Sequence, residues 1–140
     1  MITLHIGQLL EDNNLGKLVL TGSETGELIF FEKLPVNKNG VFIMSRGESL
    51  NRGQRTAQSF DIYARGSNDI NGMKRLESIL EFFTKDCYPS CTLPIVTGYS
   101  TNKYTKTIIM PTSNITNVGT DASDRVIYVC SAIIYYNKEN

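Results

Sequence analysis

Apolar and polar residues alternate with a period of two between residues 58 and 65. Phe60, Ile62 and Ala64 fall on one side of this segment, and mostly polar or charged residues fall on the other. Successive side chains of a strand point to opposite faces of a sheet. The pattern therefore predicts a strand with one buried face.

The residues that follow, from 70 to about 85, have a helical pattern. Their apolar side chains form one broad stripe, made up of Ile70, Met73, Leu76, Ile79, Leu80 and Phe83. Asp69 lies at the predicted N-terminus of this helix, where its carboxylate interacts favourably with the positive end of the helix dipole. Pro89 prevents the helix from continuing. Because this helix directly follows the strand, we expect its stripe to cover the face that carries Phe60 and Ile62.

The first third of the chain predicts a short helix and three strands. Ile6, Leu9 and Leu10 fall on one helical face, and Thr3 is the predicted N-cap. The strands are predicted at Lys17–Leu20, Glu27–Leu34 and Val41–Met44.

The last third of the chain predicts further strands, at Cys91–Val96, Lys106–Met110 and Ser113–Val118. The last two are expected to form one bent strand around Pro111. Arg125–Tyr136 is the strongest strand and is apolar on both faces, which indicates a central strand covered on both sides by a helix or a neighbouring subunit. The chain is thus expected to be one domain, residues 1–140, with an α+β fold. In this fold a mixed, mostly antiparallel sheet packs against one long and one short helix.

The alternation lapses between Ser45 and Arg55, where Leu50 is the one large apolar residue. This segment predicts a long polar loop, and two interpretations of it remain open. It is a solvated insertion, or it is an arm that orders on contact with a partner or with DNA phosphate. In the second interpretation, the candidate partner contacts are Arg46, Arg52 and Arg55.

Composition narrows the class of protein. The chain has 140 residues, of which 41% are hydrophobic and 20% charged, and its formal net charge is zero. A protein that grips nucleic acid with its whole surface carries a basic excess, so any DNA contact must be local. No apolar run approaches the length of a membrane span, and the first residues lack the features of a signal peptide. We therefore expect synthesis in the cytosol.

Candidate catalytic groups are few. His5 is the single histidine and has no partner at a catalytic spacing, so we interpret it as a surface or capping residue. No glycine-rich turn matches a phosphate or dinucleotide fingerprint. We expect no catalytic, cofactor-binding or metal-binding residues, no cofactor and no enzymatic activity. Cys87, Cys91 and Cys130 are expected to be free thiols, with a Cys87–Cys91 disulfide left open.

Two adjacent tyrosines near the end of the chain, Tyr135 and Tyr136, are candidate interface residues. Tyrosine is enriched at protein interfaces because it is large, rigid and half polar. Its preference for sheets is the alternative explanation.

The order of the predicted elements along the chain gives further information. A strand at Gly40–Ile43 leads into the polar loop, and the segment Phe60-x-Ile62-x-x-Arg65 is followed by Asp69 and a helix. This order resembles the tail terminator proteins of long-tailed bacteriophages, which are also described as tail-completion or minor capsid proteins. The similarity is best between Val41 and Phe83.

The resemblance implies a structural virion protein of viral assembly, made in the host cytoplasm and located in the neck region of the virion tail. Copies of such a protein close into a homo-oligomeric ring, typically a hexamer, which caps the tail tube protein and stops tube polymerisation. The ring provides the head–tail joining surface for the connector, or stopper, protein. Genomic DNA passes through its lumen without sequence-specific binding, and no membrane is involved.

Two alternatives stay open. One is another head–tail neck or completion protein of similar size. The other is a small ligand- or nucleic-acid-binding α+β module, which would carry a basic patch or stacking aromatic residues on one sheet face.

Overall fold

The computed structural model describes residues 1–52, 55–66 and 69–139, apart from the side chains of Glu48, Arg52 and Asp69. Within these ranges the chain forms two helices and seven strands, which together define an α+β fold. In chain order the elements are α1 (Ile2–Asp12), β1 (Lys17–Leu18), β2 (Leu28–Phe31), β3 (Gly40–Arg52), β4 (Arg55–Arg65), α2 (Asp69–Asp86), β5 (Lys103–Pro111), β6 (Thr116–Thr120) and β7 (Val126–Glu139).

These strands belong to one mixed sheet, in the order β1, β2, β3, β4, β7 and β5, with β6 also paired to β7. The β1–β2 and β2–β3 pairs are parallel, and the other pairs are antiparallel. β7 is central, as predicted, because β4 lies on one of its edges and β5 and β6 on the other. β5 and β6 pair with successive stretches of that second edge, but they are two separate strands, so the prediction that they form one bent strand around Pro111 is wrong.

One face of the sheet carries the main hydrophobic core. Phe60 and Ile62 of β4 are buried there together with Leu76 and Phe83 of α2, and α1 packs into the same cluster. The rings of Phe60 and Phe83 meet edge to face with their centroids 6.2 Å apart. The predicted contact between the helical stripe and this strand is confirmed. Ile70, at the start of the stripe, is instead 54% exposed.

The start of α1 is fixed by burial rather than by a side-chain cap. The helix begins at Ile2, its N-cap is Met1, and no side-chain hydrogen bond caps it. Thr3 is buried within the helix, so the predicted Thr3 cap is wrong. Neither helix of the described ranges combines the length and apolar character needed to cross a membrane.

The polar loop predicted for residues 45–55 is instead the distal half of a β-hairpin. β3 continues to Arg52 and pairs with β4, which begins at Arg55. Backbone hydrogen bonds form this part of the ladder whatever the side chains are, and its side chains are mostly polar. The sequence therefore gives no alternation from which to recognise it. The turn residues, Gly53 and Gln54, lie outside the described residues.

A β-bulge between Arg46 and Leu50 interrupts the hairpin. Gly47 lies within it at a φ of 69°, a left-handed conformation that glycine adopts at little cost. The amide nitrogen of the buried Gln58 side chain lies 3.3 Å from the carbonyl oxygen of Arg46 and 3.2 Å from that of Gly47. Gln58 therefore ties the bulge to β4 and sets the direction of the distal hairpin.

Other predicted strands are shorter or missing. Cys91–Val96 is not a strand, because it forms only isolated bridges from Cys91 to Thr107 and from Val96 to Ser100. Pro94 lacks the N–H that a ladder needs. The first two strands also end earlier than predicted, at Leu18 and Phe31.

Replacing Phe83 with Ala should lower the free energy of unfolding by about 3–5 kcal/mol, because it removes a fully buried ring from the core. Ile70→Ala, at an exposed position of the same helix, should change it by less than about 0.5 kcal/mol. Urea unfolding followed by circular dichroism measures both values. Equal, small losses would show that α2 does not pack on the sheet through Phe83.

Candidate partner-binding surface

The second face of the sheet carries no helix in the described part of the chain. Side chains alternate along a strand, so the neighbours of the core residues point to this face. Its half-buried apolar residues, which we call the open face, are Ile108, Met110, Ile127, Val129, Ile133 and Tyr135. A separate small cluster of Val19, Phe30 and Phe42 lies at the β2–β3 side. The face predicted to be covered by a helix or a neighbouring subunit is thus not covered by a helix.

The two candidate interface tyrosines lie on opposite faces of β7. Tyr135 is in register with Ala57 of β4 and Ile108 of β5, on the open face. Tyr136 is only 9% exposed and packs edge to face on Tyr104, with ring centroids 5.1 Å apart. Burial also raises the pKa of Tyr136. The interface prediction is therefore wrong for Tyr136, which belongs to the core, and it stays a prediction for Tyr135.

A polar strip crosses the open face. Arg46 and Asp61 form an ion pair with a nitrogen–oxygen distance of 3.0 Å. The hydroxyl of Ser131 donates to the same Asp61 oxygen at 2.6 Å. The Arg46 side chain is 54% exposed, so this pair contributes little to stability. The pair places a cation and an anion on the open face, where Asp61 is in register with Ser131, between Val129 and Ile133 of β7.

Positive charge gathers at the end of the sheet where the β3–β4 hairpin turns, β5 begins and β7 ends. The cations there are Arg55, Lys103, Lys106 and Lys138, which we call the basic end. Glu139 lies opposite Lys103 in the β5–β7 ladder. The guanidinium of Arg55 donates to the carbonyl oxygen of Lys106 and so joins the hairpin to β5. The zero net charge of the chain therefore conceals a local basic excess.

The three arginines predicted to act together occupy different places. Arg46 lies on the open face, and Arg55 belongs to the basic end. The backbone of Arg52 pairs with Arg55, whereas its side chain lies outside the described residues. The bulge between Arg46 and Leu50 separates the first arginine from the other two.

The opposite end of the sheet is closed by what we call the arginine clamp, which consists of Arg65, Asp121 and Arg125. Arg125 donates to Asp121 at 2.9 Å, and the Arg65 Nε lies 3.7 Å from the same carboxylate oxygen. Arg65 also donates to the backbone carbonyl of Lys38, and its guanidinium lies 5.1 Å from the Phe42 ring centroid. Hydrogen bonds from Arg125 lower the pKa of Asp121. Sequence reasoning missed the clamp because Arg65 is far in the chain from Asp121 and Arg125.

His5 is fully buried, so the interpretation of it as a surface or capping residue is wrong. Its Nδ1 lies 2.8 Å from the carbonyl oxygen of Pro94, which can only accept, so Nδ1 carries the proton. Its Nε2 accepts from the Ser100 hydroxyl at 2.8 Å, and its ring meets Tyr104 edge to face. Burial lowers the pKa of His5, although the Pro94 carbonyl opposes this effect. The neutral ring therefore ties the segment before β5 to α1.

The described residues contain no group of three or more His, Cys, Asp or Glu side chains that could hold a metal ion. The three cysteines are free thiols, and Cys87 and Cys130 are buried. The neighbouring Cys91 and burial both raise the pKa of Cys87. A thiol with a raised pKa is a poor nucleophile at neutral pH.

No protein-family model matches this chain, and no curated protein matches its sequence. The resemblance to tail terminators thus remains an inference from the sequence features described above.

Lowering the pH from about 7.5 to about 5.5 should reduce stability through His5. Its folded-state pKa is below the ordinary value of 6.5, so the unfolded chain binds a proton at a higher pH than the folded chain does. The stabilising contribution of neutral His5 is therefore present above the ordinary pKa and is lost as the pH falls below it.

Thermal unfolding across this pH range, in parallel for the parent and for His5→Gln, measures the effect. The variant should have a flatter dependence of melting temperature on pH than the parent. Identical slopes would show that His5 is not the titrating group.

Proposed function

We propose that this protein is a structural component of a long-tailed phage virion, a tail terminator that closes into a ring on the last ring of the tail tube. In this role it stops tube polymerisation and provides the surface to which the head connector binds. Its copies contact one another, the tail tube protein and the connector, and the genome passes through the ring.

The open face is the observation that carries the proposal. It presents six half-buried apolar side chains on one side of a sheet whose other side is fully packed. Contiguous apolar surface on a small protein marks an interaction site. A neighbouring copy packed on this face would complete the cover that the two-sided apolar pattern of β7 predicts.

The arrangement of helices supports the same proposal. An eleven-residue and an eighteen-residue helix pack on one face of a mixed sheet. The resemblance implies helices packed on a mixed sheet, and we propose a tail-terminator-like architecture on that basis.

The basic end supports the proposed contacts with the connector and with the passing genome. Its cations project from the hairpin and from β5 at one end of the sheet, where an acidic partner surface or DNA phosphate can approach them. Contacts of this kind depend on charge and not on base sequence. Such contacts are consistent with a ring through which DNA passes without sequence-specific binding.

Tyr135→Glu should prevent self-association, because it places a charge within the proposed contact between copies. The matched control is Tyr99→Glu, at an exposed tyrosine outside the sheet strands. Native mass spectrometry and light scattering, with and without tail tubes, report the oligomeric state. A ring that forms equally well with both variants would exclude the open face as the contact between copies.

Reversing the charge at the basic end, with Arg55, Lys103 and Lys106 all changed to Glu, should impair the joining of heads to tails by at least about tenfold. The melting temperature should fall only modestly, since exposed charges contribute about 0–1 kcal/mol each and the lost hydrogen bond from Arg55 to Lys106 about 0.5–1.5 kcal/mol. Complementation of a phage that lacks the gene measures joining.

The control for this experiment carries Glu at Lys17, Lys33 and Lys38, which changes the net charge equally at the β1–β3 side of the molecule. Joining should remain at the parental level in this control. If both triple variants join heads to tails as well as the parent does, the basic end makes no partner contact.

A further inference from the structure

A cleft lies between the end of α1, the start of β2 and the N-terminal half of α2. It has a volume of about 350 Å³ and is lined mostly by polar side chains, those of Asn14, Glu27, Asn71, Lys74, Arg75 and Ser78, together with Leu15. We call it the α2 cleft. It lies away from the open face and the basic end, and the proposed function makes no use of it.

Arg75 is the buried cation of this cleft. Its side chain is only 15% exposed. The guanidinium donates to the backbone carbonyl of Leu28 at 3.3 Å and to that of Leu15 at 3.4 Å, both of them long hydrogen bonds. Its Nε is buried without a hydrogen-bond partner among the described atoms. Gly16 leaves room for the guanidinium, because a Cβ there would lie 2.8 Å from an Arg75 nitrogen.

The charge of Arg75 is poorly compensated. The carboxylate that faces it belongs to Glu27, whose Oε2 lies 3.8 Å from Nε, and the Glu27 side chain is 74% exposed. Burial lowers the pKa of Arg75, and the Glu27 charge only partly opposes this effect. A guanidinium removed from water is stable when charge-assisted hydrogen bonds replace its hydration, and two neutral carbonyls at long range replace it incompletely.

The other residues of the α2 cleft supply what an oxyanion needs. Lys74 is exposed at the rim and adds a second positive charge next to Arg75 in sequence. Asn14 and Ser78 bring neutral donors to the same space. A planar guanidinium, with a second cation lining the same cleft, is suited to a carboxylate or a phosphate group.

We propose that the α2 cleft binds a single oxyanion, a carboxylate or a phosphate, between Arg75 and Lys74. Glu27 competes with that ligand. In the free protein its exposed carboxylate is the partial counter-charge of Arg75, and on binding the oxyanion displaces it towards solvent. The site is independent of ring formation, so its test and the tests of the proposed function can fail separately.

The experiment is a titration of the uniformly ¹⁵N-labelled protein with inorganic phosphate and, separately, with acetate at constant ionic strength. The signals followed are the Arg75 Nε–H resonance and the backbone amides of Leu15, Asn71 and Ser78. They should shift saturably, with a dissociation constant in the millimolar range expected for one small anion. Saturation by phosphate alone assigns a phosphate site, and saturation by both ligands assigns a general oxyanion site that also accepts carboxylates.

Two substitutions test the roles of the residues. Glu27→Gln removes the competitor and should tighten binding by about fivefold, and Lys74→Glu should weaken it by at least the same factor. Lys85→Glu is the matched control, since it makes the same change of charge at the other end of α2. The proposal is overturned if no signal saturates, or if the Lys74 and Lys85 variants bind the anion equally.

Discussion

Backbone hydrogen bonds to β7 hold the sheet together. β4 pairs with one edge of this strand from Ile127 to Tyr136, and β5 and β6 share the other edge. A strand paired on both edges fixes the register of its neighbours, and a register slip of one residue would turn every side chain to the other face. The positions of Phe60 beneath α2 and of Tyr135 on the open face both follow from this one ladder.

The same ladder explains why the two faces differ. α2 follows β4 directly and packs back onto it, so one face is buried by a helix that the chain itself provides. Within the part of the chain that the structure describes, the other face carries the small cluster around Phe42 and the polar strip of Arg46 and Asp61, and no helix. Its apolar residues are thus only half-buried in the single chain. The proposed assembly would bury the apolar surface that remains exposed there.

The sequence predicted the elements in which the spacing of apolar side chains shows which face is buried. Phe60 and Ile62 alternate with polar residues, and the stripe of α2 has helical spacing, so strand, helix and their contact could all be foreseen. The distal hairpin could not, because backbone pairing and the Gln58–Gly47 contact stabilise it without any apolar pattern. The burial of Tyr136 could not be predicted either, because β7 is apolar on both faces and the sequence does not show which face the helices cover. Arg75 is largely buried because segments that are distant in the sequence pack around it. A local sequence pattern could not predict this.

The arginine clamp has a consequence for local opening. Asp121 lies in the turn before β7, while Arg65 ends β4 and reaches the carbonyl of Lys38 in the connection before β3. Arg125 adds a hydrogen bond to Asn39 of that connection at 3.1 Å. Opening of the turn before β7 would take Asp121 away from Arg65, and opening of the connection before β3 would break the hydrogen bonds that Arg65 and Arg125 donate to it. Because each turn loses polar contacts when the other moves away, we expect the two turns to open together, although they lie far apart in the chain.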